Sequence, residues 1–506
     1  MSVWGVCRPV LAAALAATIW AVAGAAQPAA PTFDLVLAGG RVLDPASGHD
    51  GVMHVGILEG HVAALSTDPL AGKEVVDVSG LVVAPGFIDV HVHGQNPLSW
   101  DFMARDGVTT ALDLELGAHG MEGFYRQRQG TARVHYGVSA GHIPARVKWS
   151  TGVSPGHVAT RGTGFMAALT RFIQRWWQPT GWATDEADAE GVAEIVGLLD
   201  AQLDEGGVGI GMGLAYTPGA TPDEVRAVFE LAKRRGVPVF AHIRGQERPD
   251  DKAPIESILE HVRATGASLH VLHVNSSGGD ALAAYLAAID QARADGFDVT
   301  AEVYPYTASS TFLESEVYSE GWRERSGLDY DDLQWVATGE RLTEETFAKY
   351  RAQGGAVIAH GMKEENIQLA IAHPGVMIAS DGMAFYDGGE HPRGAGTHAR
   401  ILGRYVRELG VIDLPTAVSK LANLPAERLE GFVPAMKRKG RIRLGADADL
   451  TVFDPATVVD RATFEDSHQP SAGIPFVLVE GPFVVRDGAL VEGALPGRGI
   501  RFRAER

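Results

Sequence analysis

Between Phe33 and Val83 short apolar runs alternate with polar positions and break at Gly and Asp turns, as in FDLVLAGGRVLD and GVMHVGILEG. That period of two predicts antiparallel β-structure. The same pattern returns between Gly445 and Gly493 in GADADLTVFDPATVV and GIPFVLVEGPFVVRDGALVEG, so the two ends are predicted to complete one small β-sandwich. Between them the pattern becomes strand, loop, helix, repeated. TPDEVRAVFELAKRRG has a capping Thr221, Pro222 at the first helical position, Glu224 three residues after the cap, and Gly236 at the stop. It feeds the apolar run VPVFAHIRG. Later helical stretches feed SLHVLHVNSSGG and DVTAEVYPYTASS, and His242, His273 and Tyr304 recur 31 residues apart, the period of a βα unit. Such units in series predict a parallel sheet closed into a (β/α)8 barrel.

The strand ending at Asp381 comes 77 residues after Tyr304, far more than one unit. The excess, about 309–354, reads as an inserted lid on the catalytic face or as an elaboration far from it. The expected organisation is an N-terminal signal over 1–25, sandwich parts at 32–84 and 441–503, and a barrel over 85–440 that carries the insertion.

The first segment has one cation, Arg8, an apolar run, and Ala23-Gly24-Ala25 before Gln27. This is the pattern of a cleaved secretory signal, with a retained membrane anchor as the alternative. Cleavage would release the chain to the periplasm or beyond, with no stable membrane association. Cys7 is the only cysteine of the 506 residues, so the mature chain has no thiol for a ligand or a nucleophile. The formal charge of −19, from 44 Lys and Arg against 63 Asp and Glu, is dispersed and argues against nucleic acid as a partner.

Candidate chemistry gathers at the strand ends. In GLVVAPGFIDVHVHG, alternation turns Asp89, His91 and His93 to one face and Ile88, Val90 and Val92 to the other. An HxH pair alone is either a metal site or two half-buried imidazoles. His242, His273 and Asp381 each close an apolar run shortly before a glycine, the position where barrel enzymes keep functional groups. Four imidazoles and a carboxylate at one mouth suit Zn²⁺, as one ion or two. On the second strand GVTTALDLELG sets Asp113 and Glu115 on one face. Glu115 is placed to bridge two metals and Asp113 to orient a ligand histidine, or else they pair with a buried arginine. His142 is a candidate lining residue, whereas His360 and His373 read as packing or capping residues.

With HVH, HIRG, HVNSSGG, ASDG and GADADLTVFDP assembled, the chain resembles the amidohydrolase superfamily, and more narrowly the N-acyl-D-amino acid deacylases. GVGIGMGLAYTPGA, TAEVYPYTASST, EHPRGAGTHARILGRYVRE and the closing VRDGALVEGALPGRGIR read like that family's text in the same order. The resemblance implies zinc-dependent hydrolysis of small N-acyl-D-amino acids. It further implies that His91, His93 and Asp381 hold the more exposed metal, that His242 and His273 hold the tighter one, and that Asp381 is also the general base. By the same resemblance Arg393 and Tyr216 grip the substrate's α-carboxylate. The family's second-strand cysteine is absent here; Glu115 is the candidate replacement, although Leu116 is its counterpart by counting. Asn275 stands where the family has a lysine, and the fourth strand VGIGMGLAY has no lysine for a carbamylated bridge. A D-amino-acid dipeptidase or cyclic-amide hydrolase on the same scaffold, or a metal-binding protein without catalysis, are the alternatives.

Overall fold

The strands of the middle region are buried on both faces, which is why they read as near-continuous apolar runs and why they pair in parallel. The computed structural model describes Met1 and residues 32–156, 181–245, 251–386 and 389–502. Apart from Met1, the segment read as a signal lies outside the described residues. Eight strands follow in order round the centre: Phe87–Asp89, Val108–Ala118, His135–Gly141, Ile210–Gly213, Val239–His242, Leu269–Val271, Val299–Val303 and Val376–Ile378. The ring closes where the extension of the first strand meets that of the eighth. There Asp381 N donates to His91 O at 2.7 Å and His93 N to Gly382 O at 2.8 Å. This is the expected (β/α)8 barrel, and its closing seam runs through three of the candidate site residues.

The helices obey their end signals. In Pro222–Arg235 the Thr221 side chain accepts from Glu224 N, and Gly236 turns left-handed at φ 65°. Its buried stripe of Val225, Val228, Phe229 and Ala232 joins the barrel's main core.

Both chain ends enter one nine-stranded sheet, consistent with the expected sandwich. The segment Leu450–Phe453 pairs antiparallel with Val82–Pro85, the last strand before the barrel. Leu37, Val55 and Val83 from the front share a core with Leu450, Val452 and Leu478 from the back. The GADADL motif ties this sheet to the barrel electrostatically. Buried Lys439 donates to Asp449 at 2.6 Å and pairs with Asp447 at 3.0 Å, and its Nζ lies 2.9 Å from Nε2 of His135, the first residue of the third barrel strand.

The segment after Tyr304 forms a three-stranded antiparallel sheet of Ala308–Phe312, Leu333–Trp335 and Ala356–His360. It has an aromatic core of its own, including Trp322 on Phe347 and Trp335 stacked on Tyr350 at 4.5 Å. Its first strand lies against the barrel mouth, where Thr311 and Ser310 meet Tyr216 and Arg393.

Removing the Lys439 cation strands buried Asp449 and leaves Asp447 with Arg438. Lys439→Met is therefore expected to destabilise the fold by about 3–5 kcal/mol. Urea unfolding against the parent chain measures this, and an unchanged midpoint would contradict it.

Candidate active site

The second barrel strand is irregular where it reaches the mouth: its register to the third strand shifts between Asp113 and Ala118. Asp113 Oδ1 accepts from Leu116 N at 3.1 Å and Gly117 N at 3.4 Å, and Gly117 takes φ 65° with no room for a Cβ against Ser139 O. The bulge leaves Asp113 against His93 and Glu115 against His91, and it is the Glu115 carboxylate that joins the donor atoms there. Glu115, 2% exposed, is at the centre of the site.

Two groups of donor atoms meet there, each gathered within 4.8 Å: His91, His93, Glu115 and Asp381, and then Glu115, His242 and His273. Glu115 belongs to both. Its Oε2 lies 2.7 Å from His91 Nε2 and 3.4 Å from His93 Nε2, and its Oε1 lies 2.8 Å from His242 Nδ1. Asp381 Oδ1 is 3.4 Å from His91 Nε2 and 3.3 Å from His93 Nε2. His273 Nε2 is 3.1 Å from His242 Nδ1. Ligands of a tetrahedral zinc at 2.0–2.1 Å lie about 3.3 Å apart, so the N/O donor set fits such a cation, with the two contacts of Glu115 at 2.7 and 2.8 Å opening by about half an ångström to admit it.

The far side of each ring is also held. His93 Nδ1 faces Asp113 Oδ2 at 3.3 Å, His273 Nδ1 faces Ser277 Oγ at 3.2 Å, and His91 Nδ1 faces Glu302 Oε1 at 2.5 Å. Asp381 and His273 adopt positive φ of 52° and 29°, a strain that cations and side chains of a working site characteristically hold in place.

Charge explains the arrangement. Burial opposes protonation of His91 and His93, yet Asp381 and Glu302 around the first, and Asp113, Asp381 and Glu115 around the second, hold both imidazoles well above the usual histidine range. Burial would raise Glu115 and Asp381, but His242 with the other imidazoles, and Arg393 with His91, hold them far below the usual carboxylate range. His273 behaves oppositely: burial and the neighbouring His242 push it down to about 3, leaving a neutral ring. Protons on His91 and His93 thus balance the carboxylates until a cation takes their place.

Arg393 opens the helix Arg393–Arg400, and its side chain is buried. Its Nη1 stands 3.0 Å from Asp381 Oδ2, Nη2 donates to Ser310 O at 3.3 Å, and the guanidinium stacks on Tyr304 at 4.6 Å. The contact with Asp381 lacks hydrogen-bond alignment, so Nη1 and Nε are buried donors without an acceptor. No surface pair with Glu390 forms, since that carboxylate accepts from Tyr386 N and meets His468; Asp387 lies outside the described residues. Tyr216 packs edge-on to His242 at 4.9 Å and bonds Thr311 Oγ1 at 3.0 Å. Burial raises its phenol well above its ordinary range, so it stays protonated.

His142 does not line the site. It is fully buried against Glu224 at 2.7 Å, in a cluster with Arg146 that fastens two helices together. His360 and His373 bond Gln334 and Asp290, as packing and end residues do. Glu302 escaped sequence reasoning; its signal was an acidic residue inside the apolar strand run VTAEV.

Strand-end histidines and carboxylates around a parallel barrel define the amidohydrolase class, and the model of the amidohydrolase family matches residues 82–273. N-acyl-D-glutamate deacylase of Alcaligenes xylosoxydans xylosoxydans is 31% identical over 476 residues, covering 89% of this chain and 93% of that protein. D-aminoacylase of the same organism is 32% identical over 502 residues, covering 90% and 95%. The crystal structure of N-acyl-D-glutamate deacylase from Bordetella bronchiseptica, complexed with zinc and a phosphonate inhibitor, superposes with a TM-score of 0.75 at 27% identity, covering 93% of this chain and all of that one. The chain belongs to the N-acyl-D-amino acid deacylase family of amidohydrolases.

Because His91 and His93 must lose their protons to become ligands, cation binding releases protons, and affinity falls as pH drops through their raised range. Calorimetric titration of the cation-free chain with Zn²⁺ between about pH 6 and about pH 8, in buffers of unlike ionisation heat, measures the release. Heats independent of buffer would contradict it.

Proposed function

We propose that the protein hydrolyses the amide bond of N-acyl-D-amino acids, releasing a carboxylate and the free D-amino acid, with zinc held by His91, His93, Glu115, His242, His273 and Asp381. The observation that carries this reading is the meeting of a two-lobed donor set with a guanidinium whose Nε and Nη1 lack acceptors. A metal centre matched to a carboxylate clamp suits a substrate that pairs an amide with a free carboxylate. The names of the related deacylases support the same substrate class.

Zinc held by these residues would supply Lewis acidity toward the amide carbonyl and the attacking water. Asp381 Oδ1, beside both His91 and His93, receives the proton of that water and passes it to the departing nitrogen, so that each turnover leaves the carboxylate as it began. Arg393 fixes the substrate carboxylate through its planar fork while Tyr304 supports the guanidinium from below. The protonated Tyr216 phenol adds a hydrogen bond from the opposite wall. Arg393 and the metal centre fix the α-carboxylate and the amide, and choice of the D-isomer requires a third contact, at the side chain on the α-carbon. Asn275 donates through Nδ2 to Tyr304 O at 3.1 Å, so this position contributes no cation to the mouth.

We infer export as well: the opening segment, with its single cation, apolar run and small residues, supports a secreted or periplasmic location for the mature chain.

Asp381→Asn is expected to fold and lose at least about 10²-fold in kcat on an N-acetyl-D-amino acid, the scale of a lost general base. Arg393→Ala is expected to raise KM for N-acyl amino acids far more than for amides lacking a carboxylate. A panel of N-acetyl-D-glutamate, -methionine and -leucine with their L-isomers, beside dipeptides and hydantoins, tests the class itself. Turnover confined to hydantoins or dipeptides would replace it.

A further inference from the structure

The seventh barrel strand contributes no donor atom to either cluster, yet it carries the carboxylate that touches both. Alternation along Val299–Val303 sets Thr300 and Glu302 on the same face, and Glu302 is 1% exposed. Glu302 Oε1 is 2.5 Å from His91 Nδ1 and also accepts from the backbone N of His273 at 3.3 Å. Its Oε2 meets His270 Nε2 at 3.1 Å, and His270 Nδ1 meets Thr300 Oγ1 at 2.7 Å. A column of Thr300, His270 and Glu302 therefore rises from inside the barrel to the underside of the site.

We infer that Glu302 is a positioning residue shared by the two cation clusters, holding the ring of His91 for one and the strained backbone of His273 for the other. An ionised carboxylate only accepts, so one proton of His91 is held on Nδ1 by Glu302, and the proton on Nε2, which faces Glu115 and Asp381, is the one a cation displaces. Glu302 lies between His91 Nδ1 and His270 Nε2, two ring nitrogens each within hydrogen-bond distance of one of its oxygens. At the other cluster the chain must turn at φ 29° for His273 to bring Nε2 within 3.1 Å of His242 Nδ1. Glu302 Oε1 captures the amide of that very residue, so the turn and the ring of His91 depend on one oxygen atom. The two clusters are thus joined twice, above by Glu115 and below by Glu302.

The inference rests on the reading that the clusters hold cations, and the experiment separates the two. The cation-free parent chain, Glu302→Ala and Glu302→Gln are titrated with Co²⁺ against a chromophoric chelator, with the visible absorption of the bound ion recorded at each step. The Ala variant is expected to weaken both cation affinities by about 10–100-fold and to alter the Co²⁺ spectrum. Gln keeps an accepting oxygen for His91 while its NH₂ faces a His270 that has moved its proton to Nδ1, toward Thr300. It is therefore expected to restore most of both affinities. If a variant folds only with metal, its refolding against rising Co²⁺ yields the same affinities by linkage.

A parent chain that binds no Co²⁺ would overturn the metal reading itself. A parent chain that binds, beside an Ala variant with unchanged affinities and merely lowered thermal stability, would overturn the role of Glu302 alone. Weakening of one cation only would remove the link to His273, and a Gln variant as weak as Ala would remove the accepting oxygen from the argument.

Discussion

A carboxylate can stay ionised without water only where positive charge surrounds it, and Glu115 makes that condition the organising constraint of this protein. It is buried at the barrel mouth with His91, His93 and His242 all within 3.4 Å of its two oxygens. Isolated in a medium of low polarity such an anion would take up a proton. Here the imidazoles supply charge as protons, or as a shared cation once those protons leave. The same logic repeats outward, since Asp381 is balanced by Arg393 as well as by the histidines, and Glu302 by His91 and His270. The mouth is an alternation of charges in which removing any one member exposes its neighbours.

The backbone is shaped to that alternation. The barrel closes through His91 O and Gly382 O, so the ligands of one cluster sit on the seam that joins the first strand to the eighth. The bulge at Gly117 redirects the second strand, and Gly211 on the fourth approaches Glu115 O too closely for any Cβ. Positive φ at His273 and Asp381 completes the convergence. The bulge is held by Asp113 of its own strand, and the turns at Asp381 and His273 by hydrogen bonds to the first and seventh strands, so the strain is carried by the barrel.

Much of this was legible in the chain itself. Strand ends were readable because apolar runs stop at a polar residue followed by glycine, and period two fixed which of Asp89, His91 and His93 share a face. The helix ends at Thr221 and Gly236 followed from local hydrogen-bonding rules. His142 shows the limit of such reasoning: it too follows a buried strand, His135–Gly141, yet it turns into the helix layer because Glu224 and Arg146 await it there. Position at a strand end permits a residue to enter the mouth; the partners on the next element decide whether it does.

Sequence alone determined the barrel, the sheet shared by both termini, and the list of strand-end donors, because those follow from periodicities of two and 3.6 and from spacings of one βα unit. Tertiary structure alone decided which groups are partners. His91 and Glu302 stand 211 positions apart, Arg393 reaches Asp381 from the following helix, and Tyr216 meets Thr311 across the mouth. No local pattern encodes those encounters. Alternation sets the face on which a side chain emerges, but closure of the ring sets what it faces, and the energy of a buried charge depends on the latter.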